Sequence, residues 1–157
     1  MLHAYAILLA QDCDLLRDYE ARAKNPPDRV LNSILFFEAL PADQAKAKVG
    51  GRDIFRRIER HGEERYHLLA PVDAANDRLN KGIPELVIDF RRYFSMAAVE
   101  VYRQCALLED TGAKRRCRLI SPYREHLQTR AAFYFQRVGL PDQPAAAVVA
   151  IAAREGR

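Results

Sequence analysis

Residues 85–94, Glu-Leu-Val-Ile-Asp-Phe-Arg-Arg-Tyr-Phe, carry the cleanest strand pattern in the chain. Leu86, Ile88, Phe90 and Phe94 alternate with Val87, Asp89, Arg91 and Tyr93. Successive side chains on a strand point to opposite sides, so this spacing predicts one apolar and one mixed face. A strand needs partners. Three more apolar runs can supply them. Residues 4–10 are short and apolar and end at Gln11-Asp-Cys-Asp14. Residues 33–40 are closed by Pro41. Residues 65–72 place Tyr66, Leu68, Ala70 and Val72 on one face, with Arg65 and His67 on the other. Residues 115–120 are a candidate fifth strand.

Helical spacing fills the gaps. Leu15, Leu16, Tyr19 and Ala23 recur at that spacing up to Lys24, and Asn25-Pro26-Pro27 stops the run. Residues 43–48, 53–61 and 97–108 also read as helices. Ser121-Pro122 opens the last, with serine suited to the cap and proline to the first helical position. Tyr123, Leu127, Ala131, Tyr134 and Val138 then fall in one stripe that would dock on the sheet. Gly139 and Pro141 end it, and residues 145–153 form an apolar coda. Strands mixed with helices predict an α+β domain spanning residues 1–157, built on a small, strongly bent antiparallel sheet.

Composition agrees. The chain has 157 residues, 49% hydrophobic and 29% charged, which excludes disordered, collagen-like and coiled-coil classes. No apolar run approaches the ~20 residues of a membrane span. No basic leader with a long apolar core precedes the first strand, so the reading is cytoplasmic. Cys13, Cys105 and Cys117 are an odd set without CxxC or CxxH spacing. That is neither a disulfide framework nor a zinc site, and no metal or cofactor motif is present.

Three constellations could carry chemistry. Cys13 sits between strand and helix, where a helix dipole can favour a thiolate, and His67 could serve as its base. The flanking Asp12 and Asp14 oppose a thiolate, so capping acids around a packed cysteine are the plainer reading. As cation ligands, two carboxylates make a weak site. Asp89, Arg91 and Tyr93 could bind a phosphate or stack on a base; the plainer reading is a solvated face with a cross-strand ion pair. The third is a basic segment. Lys114, Arg115, Arg116, Arg118, Arg124, Arg130 and Arg137 face one acid, Glu125, although the whole chain is only +4. On the last helix His126, Arg130, Phe133 and Arg137 share a flank. Basic groups interleaved with an aromatic suit nucleic acid, and solubilising surface is the alternative.

The order of elements resembles the small SH3-like barrel of the MazF/PemK toxin group. Tyr5-Ala-Ile-Leu-Leu-Ala-Gln-Asp12, Tyr66-His-Leu-Leu-Ala-Pro-Val72 and Glu85-Leu-Val-Ile-Asp-Phe-Arg-Arg-Tyr-Phe94 match three of its strands, and residues 119–140 match its closing helix. The resemblance covers about half of the chain. It implies a partly open barrel flanked by helices, binding RNA with endoribonuclease activity as an extension. In that group an arginine before the first matched strand and a serine or threonine after the Ala-Pro strand cut RNA. Those places hold His3 and Asp73 here, so no catalytic residue carries over.

The expectation is therefore a toxin-like RNA-binding protein using Arg115, Arg116, His126, Arg130, Phe133, Arg137 and Arg91. Cys13, His67 and Asp73 are its weak catalytic candidates, and whether it is an enzyme stays open. The alternative is a non-catalytic interaction subunit of a bacterial defence or toxin–antitoxin assembly, as a homodimer or with a protein partner. Residues 145–153 would then be its covered segment.

Overall fold

The computed structural model describes residues 3–24, 30–106 and 114–136. In chain order these form β1 (Tyr5–Leu8), α1 (Asp12–Arg22), β2 (Ser33–Pro41), α2 (Ala42–Lys48), α3 (Arg52–Glu59), β3 (Tyr66–Leu69), β4 (Leu86–Ala97), α4 (Ala98–Ala106) and α5 (Tyr123–Gln136). A single 3-10 turn, Ala74–Asn76, lies between β3 and β4. The strands make one antiparallel sheet in the order β1-β2-β4-β3. The α+β reading therefore holds.

The barrel does not. The sheet is neither closed nor strongly curled. Closure requires the two outer strands to pair. Here β1 and β3 occupy opposite edges, with β2 and β4 between them. The expected strand over residues 115–120 joins no ladder. Instead the carbonyl of Arg116 accepts from the backbone N–H of Arg78 at 2.9 Å, and Cys117 and Leu119 pack against the core.

β2 and β4 share the longest pairing, and it breaks in the middle. Phe37 lies opposite Tyr93, and Ala39 lies opposite Ile88. Two steps along β2 thus match five along β4, an odd slip that reverses the face of every later side chain on β4. Leu86, Ile88 and Phe90 join Phe37 and Ala39 on one face, where they meet Leu127 and Ala131 of α5. Past the slip Phe94 stacks on Phe36, with ring centroids 5.4 Å apart, on the other face. The unbroken alternation expected over residues 85–94 placed Phe94 beside Phe90. The structure separates them.

Two further clusters cover that second face. Ala42, Ala45 and Val49 of the α2 region pack with Phe55 and Ile58 of α3 over Tyr66 and Val87. Leu15 of α1 and Ala98 and Val101 of α4 close over Ile34, Phe36 and Met96. Among the described residues, one helix thus covers one face, and four share the other. The α5 stripe docks through Leu127, Ala131 and Tyr134 as expected, whereas Tyr123 is exposed and Val138 lies outside the described residues.

Buried polar groups hold the loops. Asp77 accepts from the backbone N–H groups of Leu79 and Lys81 and pairs with both Nε (2.7 Å) and Nη2 (2.6 Å) of Arg116. Arg116 also donates to the carbonyl of Gly82 at 2.8 Å. Gly82 has φ +72, and a Cβ there would lie 3.2 Å from the Val72 carbonyl, so the turn requires glycine. Asp18 accepts from the Leu31 N–H and from Arg22, tying the end of α1 to the approach to β2.

Phe37 is fully buried at the centre of the sheet. Phe37→Ala should lower the unfolding free energy by about 3–5 kcal/mol. Leu16→Ala, at an exposed position, should change it by less than about 0.5 kcal/mol. Urea denaturation of the two variants measures the contrast.

Candidate functional site

Three of the chain's four histidines meet under the first half of α5. His67 pairs with Ile88 across β3 and β4, which directs it to the α5 face. His126 lies on the first turns of α5. His61 follows α3 and holds φ 54, a left-handed conformation that carries the chain from the helix toward β3. The ring centroids form a near-equilateral triangle: 5.1 Å for His61–His67, 4.9 Å for His61–His126 and 5.1 Å for His67–His126. His67 is 2% exposed, His61 is half-buried and His126 is exposed, so the cluster runs from core to solvent.

Arg130, one turn beyond His126, fixes the surroundings. Its Nη1 donates to the carbonyl of His61 at 2.9 Å, and its Nη2 to those of Glu63 (2.5 Å) and Tyr66 (2.9 Å). A guanidinium fork can hold three carbonyls at once, which an ammonium does with less directionality. The clamp closes the turn between α3 and β3 against α5. It leaves Nε of Arg130 and Nδ1 of both His61 and His67 buried without hydrogen-bond partners.

Burial, then His61, His126 and Arg130, push the His67 imidazole down to about 3. Burial, His126 and Arg130 also lower His61. Both rings are therefore neutral at pH 7. Among the described residues no group of three or more His, Cys, Asp or Glu is arranged to hold a metal ion.

The other candidates lie elsewhere. Cys13, in the first turn of α1, directs its thiol to Gln11 Oε1 at 3.5 Å and Asp14 Oδ1 at 3.9 Å, not to His67. Asp12 and Asp14 lie inside the first turn of α1 and Gln11 occupies the cap, with no side-chain capping bond. Asp12 pairs instead with Arg118 and Arg124. Asp73 is exposed at the start of the 3-10 turn. His3 is engaged with Glu38 at 3.3 Å and stacked on Phe94 at 4.5 Å.

The strand trio divides at the slip. Asp89 takes both Nε and Nη2 of Arg65, the cross-strand ion pair that was the plainer expectation, and Arg91 flanks it at 3.8 Å. Tyr93 turns to the α5 face and meets Phe135 edge-on at 5.5 Å. In the basic segment, Arg116 and Arg130 point inward to Asp77 and to carbonyls. Arg115, His126 and Phe133 are exposed, and Arg137 lies outside the described residues. His61 escaped sequence reasoning altogether. Its only sequence signal was the helix end before Gly62.

Comparison with family models, with curated proteins and with solved structures finds no match. Among the described residues no helix is long and apolar enough to cross a membrane.

Folding holds His67 well below its ordinary 6.5, so between about pH 3 and 6.5 the unfolded chain binds more protons. This contribution to stability is complete above 6.5 and is lost as pH falls. By pH 5 the loss should reach about 2 kcal/mol. Urea unfolding at pH 7 and pH 5 reads it, and His67→Leu should shrink the difference between the two pH values by that amount.

Proposed function

We propose that the protein binds single-stranded RNA along the α5 flank that carries His126 and Phe133, beside His61. The observation behind this reading is the exposure of that flank. Phe133 is 55% exposed, although Leu127 and Ala131 on the same helix are buried. The two flank residues stand seven apart, about 10 Å along the axis, close to two full turns. An exposed aromatic offers a base a stacking surface, and imidazoles and an exposed arginine such as Arg115 suit the phosphates. Arg91, which flanks Asp89 on the other face, is not part of this surface. RNA cleavage is the extension of this reading. The 2′-oxygen would bond to phosphorus as the phosphorus–5′-oxygen bond breaks, one imidazole of the His61–His126 pair taking the 2′-hydroxyl proton and the other giving a proton to the leaving 5′-oxygen.

This reading is narrower than the one the sequence suggested, since Arg116 and Arg130 are committed inside the fold. Few phosphates are neutralised, so affinity should fall only gently with salt. Fluorescence anisotropy with a labelled single-stranded RNA at low salt tests it. Phe133→Ala should weaken binding about tenfold, and Arg115→Glu should flatten the salt slope. No binding at low salt, or binding indifferent to Phe133→Ala, overturns it.

A protein-interaction role is the second reading, favoured by exposed apolar side chains on α1 and α4. Leu16, Tyr19 and Val99 are each more than half exposed. The two helices touch where Tyr19 meets Tyr102 at 6.3 Å. Light scattering should show a dimer that Tyr19→Glu dissociates; a monomer at every concentration removes this reading.

A further inference from the structure

The face opposite the histidines holds a pocket of about 120 Å³, set between α2 and the break in the β2–β4 ladder. Its floor is apolar: Leu40, Ala45, Val49 and Val87. Its rim is charged and drawn from four elements. Lys48 comes from α2, Glu38 from β2, Arg65 from the approach to β3, and Asp89 and Arg92 from β4. The slip is what gathers them. Glu38 stands where the ladder is interrupted, opposite the stretch of β4 that carries Asp89 and Arg92.

The rim charges are not equivalent. Arg65 gives Nε, at 2.8 Å, and Nη2 to the two oxygens of Asp89, which leaves the N–H bonds of Nη1. Arg92 donates through Nε to Glu38, which His3 backs from behind. Each carboxylate thus holds one guanidinium in place. Lys48 is exposed, and its charge is matched by neither carboxylate. With Lys48, Arg65 and Arg92 lining the pocket against Glu38 and Asp89, and Arg91 flanking Asp89 at 3.8 Å, the rim carries a positive excess above an apolar floor.

We propose that this pocket binds a short-chain organic monocarboxylate. Its carboxylate would rest on Lys48 and the spare N–H groups of Arg65 and Arg92, and its alkyl tail on Leu40, Val49 and Val87. The planar fork of arginine suits a carboxylate, and arginines already fixed by ion pairs lose little freedom on binding. The apolar floor suits an anion with an alkyl tail better than inorganic phosphate, which has none to bury. The small volume limits the tail to a few carbons. Nothing in this proposal depends on RNA binding, which lies across the sheet.

Amide NMR titrations of the full chain with butanoate test the assignment, with butanol, butylamine and inorganic phosphate as comparisons. Butanoate at millimolar concentrations should shift the amides of Leu40, Lys48, Val49 and Val87 saturably. Lys48→Gln should weaken it about tenfold, or 1.4 kcal/mol. Val49→Phe, which fills the floor, should abolish binding while the rest of the spectrum stays folded. No saturable shift overturns the proposal. So does equal binding of butanol or phosphate, or binding unchanged in Lys48→Gln.

Discussion

The pairing of β2 with β4 organises this molecule, and its odd slip is the constraint from which the rest follows. Had the ladder run unbroken, Phe90 and Phe94 would share a face. With the slip, Phe90 supports α5 beside Phe37, and Phe94 stacks with Phe36 below α1 and α4. A long strand thus serves two cores on opposite sides of the sheet. The interruption also leaves a stretch of β4 out of register with β2, and charged groups pair there across strands, Asp89 with Arg65 and Arg92 with Glu38. Bulges occur beside functional sites for this reason: they re-aim side chains that a regular ladder would hold in register.

Arginine is the second organising element. Arg116 and Arg130 sit in a segment whose sequence reads as a basic surface, yet both guanidinium groups face inward. Arg116 neutralises a buried carboxylate that itself gathers backbone N–H groups. The bond to Arg116, and then those backbone groups, outweigh burial and hold Asp77 well below the usual carboxylate range. Arg130 gathers carbonyls instead. Arg130 ties the turn between α3 and β3 to α5, and Arg116 ties the loop around Asp77 and Gly82 to the irregular stretch before α5. Formal charge concentrated in sequence is therefore not charge concentrated on the surface.

Much of the architecture was legible before folding. Residues 33–40 and 85–94 read as strands, and Leu127, Ala131 and Tyr134 read as the docking stripe of the last helix, because period and end signals are local. The paired fate of Asp89 was also readable, since an acid on a strand face has few other ways to be satisfied. The slip was not, because register is set by the partner strand and leaves no trace in the alternation of one strand. The histidine cluster was hidden for a related reason. His61 and His126 are 65 residues apart in sequence, and only the packing of α5 on β3 joins them. The inward turn of Arg116 and Arg130 depends on backbone carbonyls and on Asp77, partners that spacing alone cannot locate. The barrel expectation failed because strand order decides closure. Four apolar runs in the right sequence do not determine which two become edges.

Those edges have a consequence for the company the molecule keeps. Among the described residues the outer strands, β1 and β3, have four residues each, and the long strands lie inside. A newcomer adding to either side would find a row of backbone donors and acceptors too short to repay the ordering of its own chain. Growth by strand addition, the route to fibrils and to swapped sheets, is discouraged by the topology itself. Among the described residues, the helices then offer a partner more than the sheet edges do.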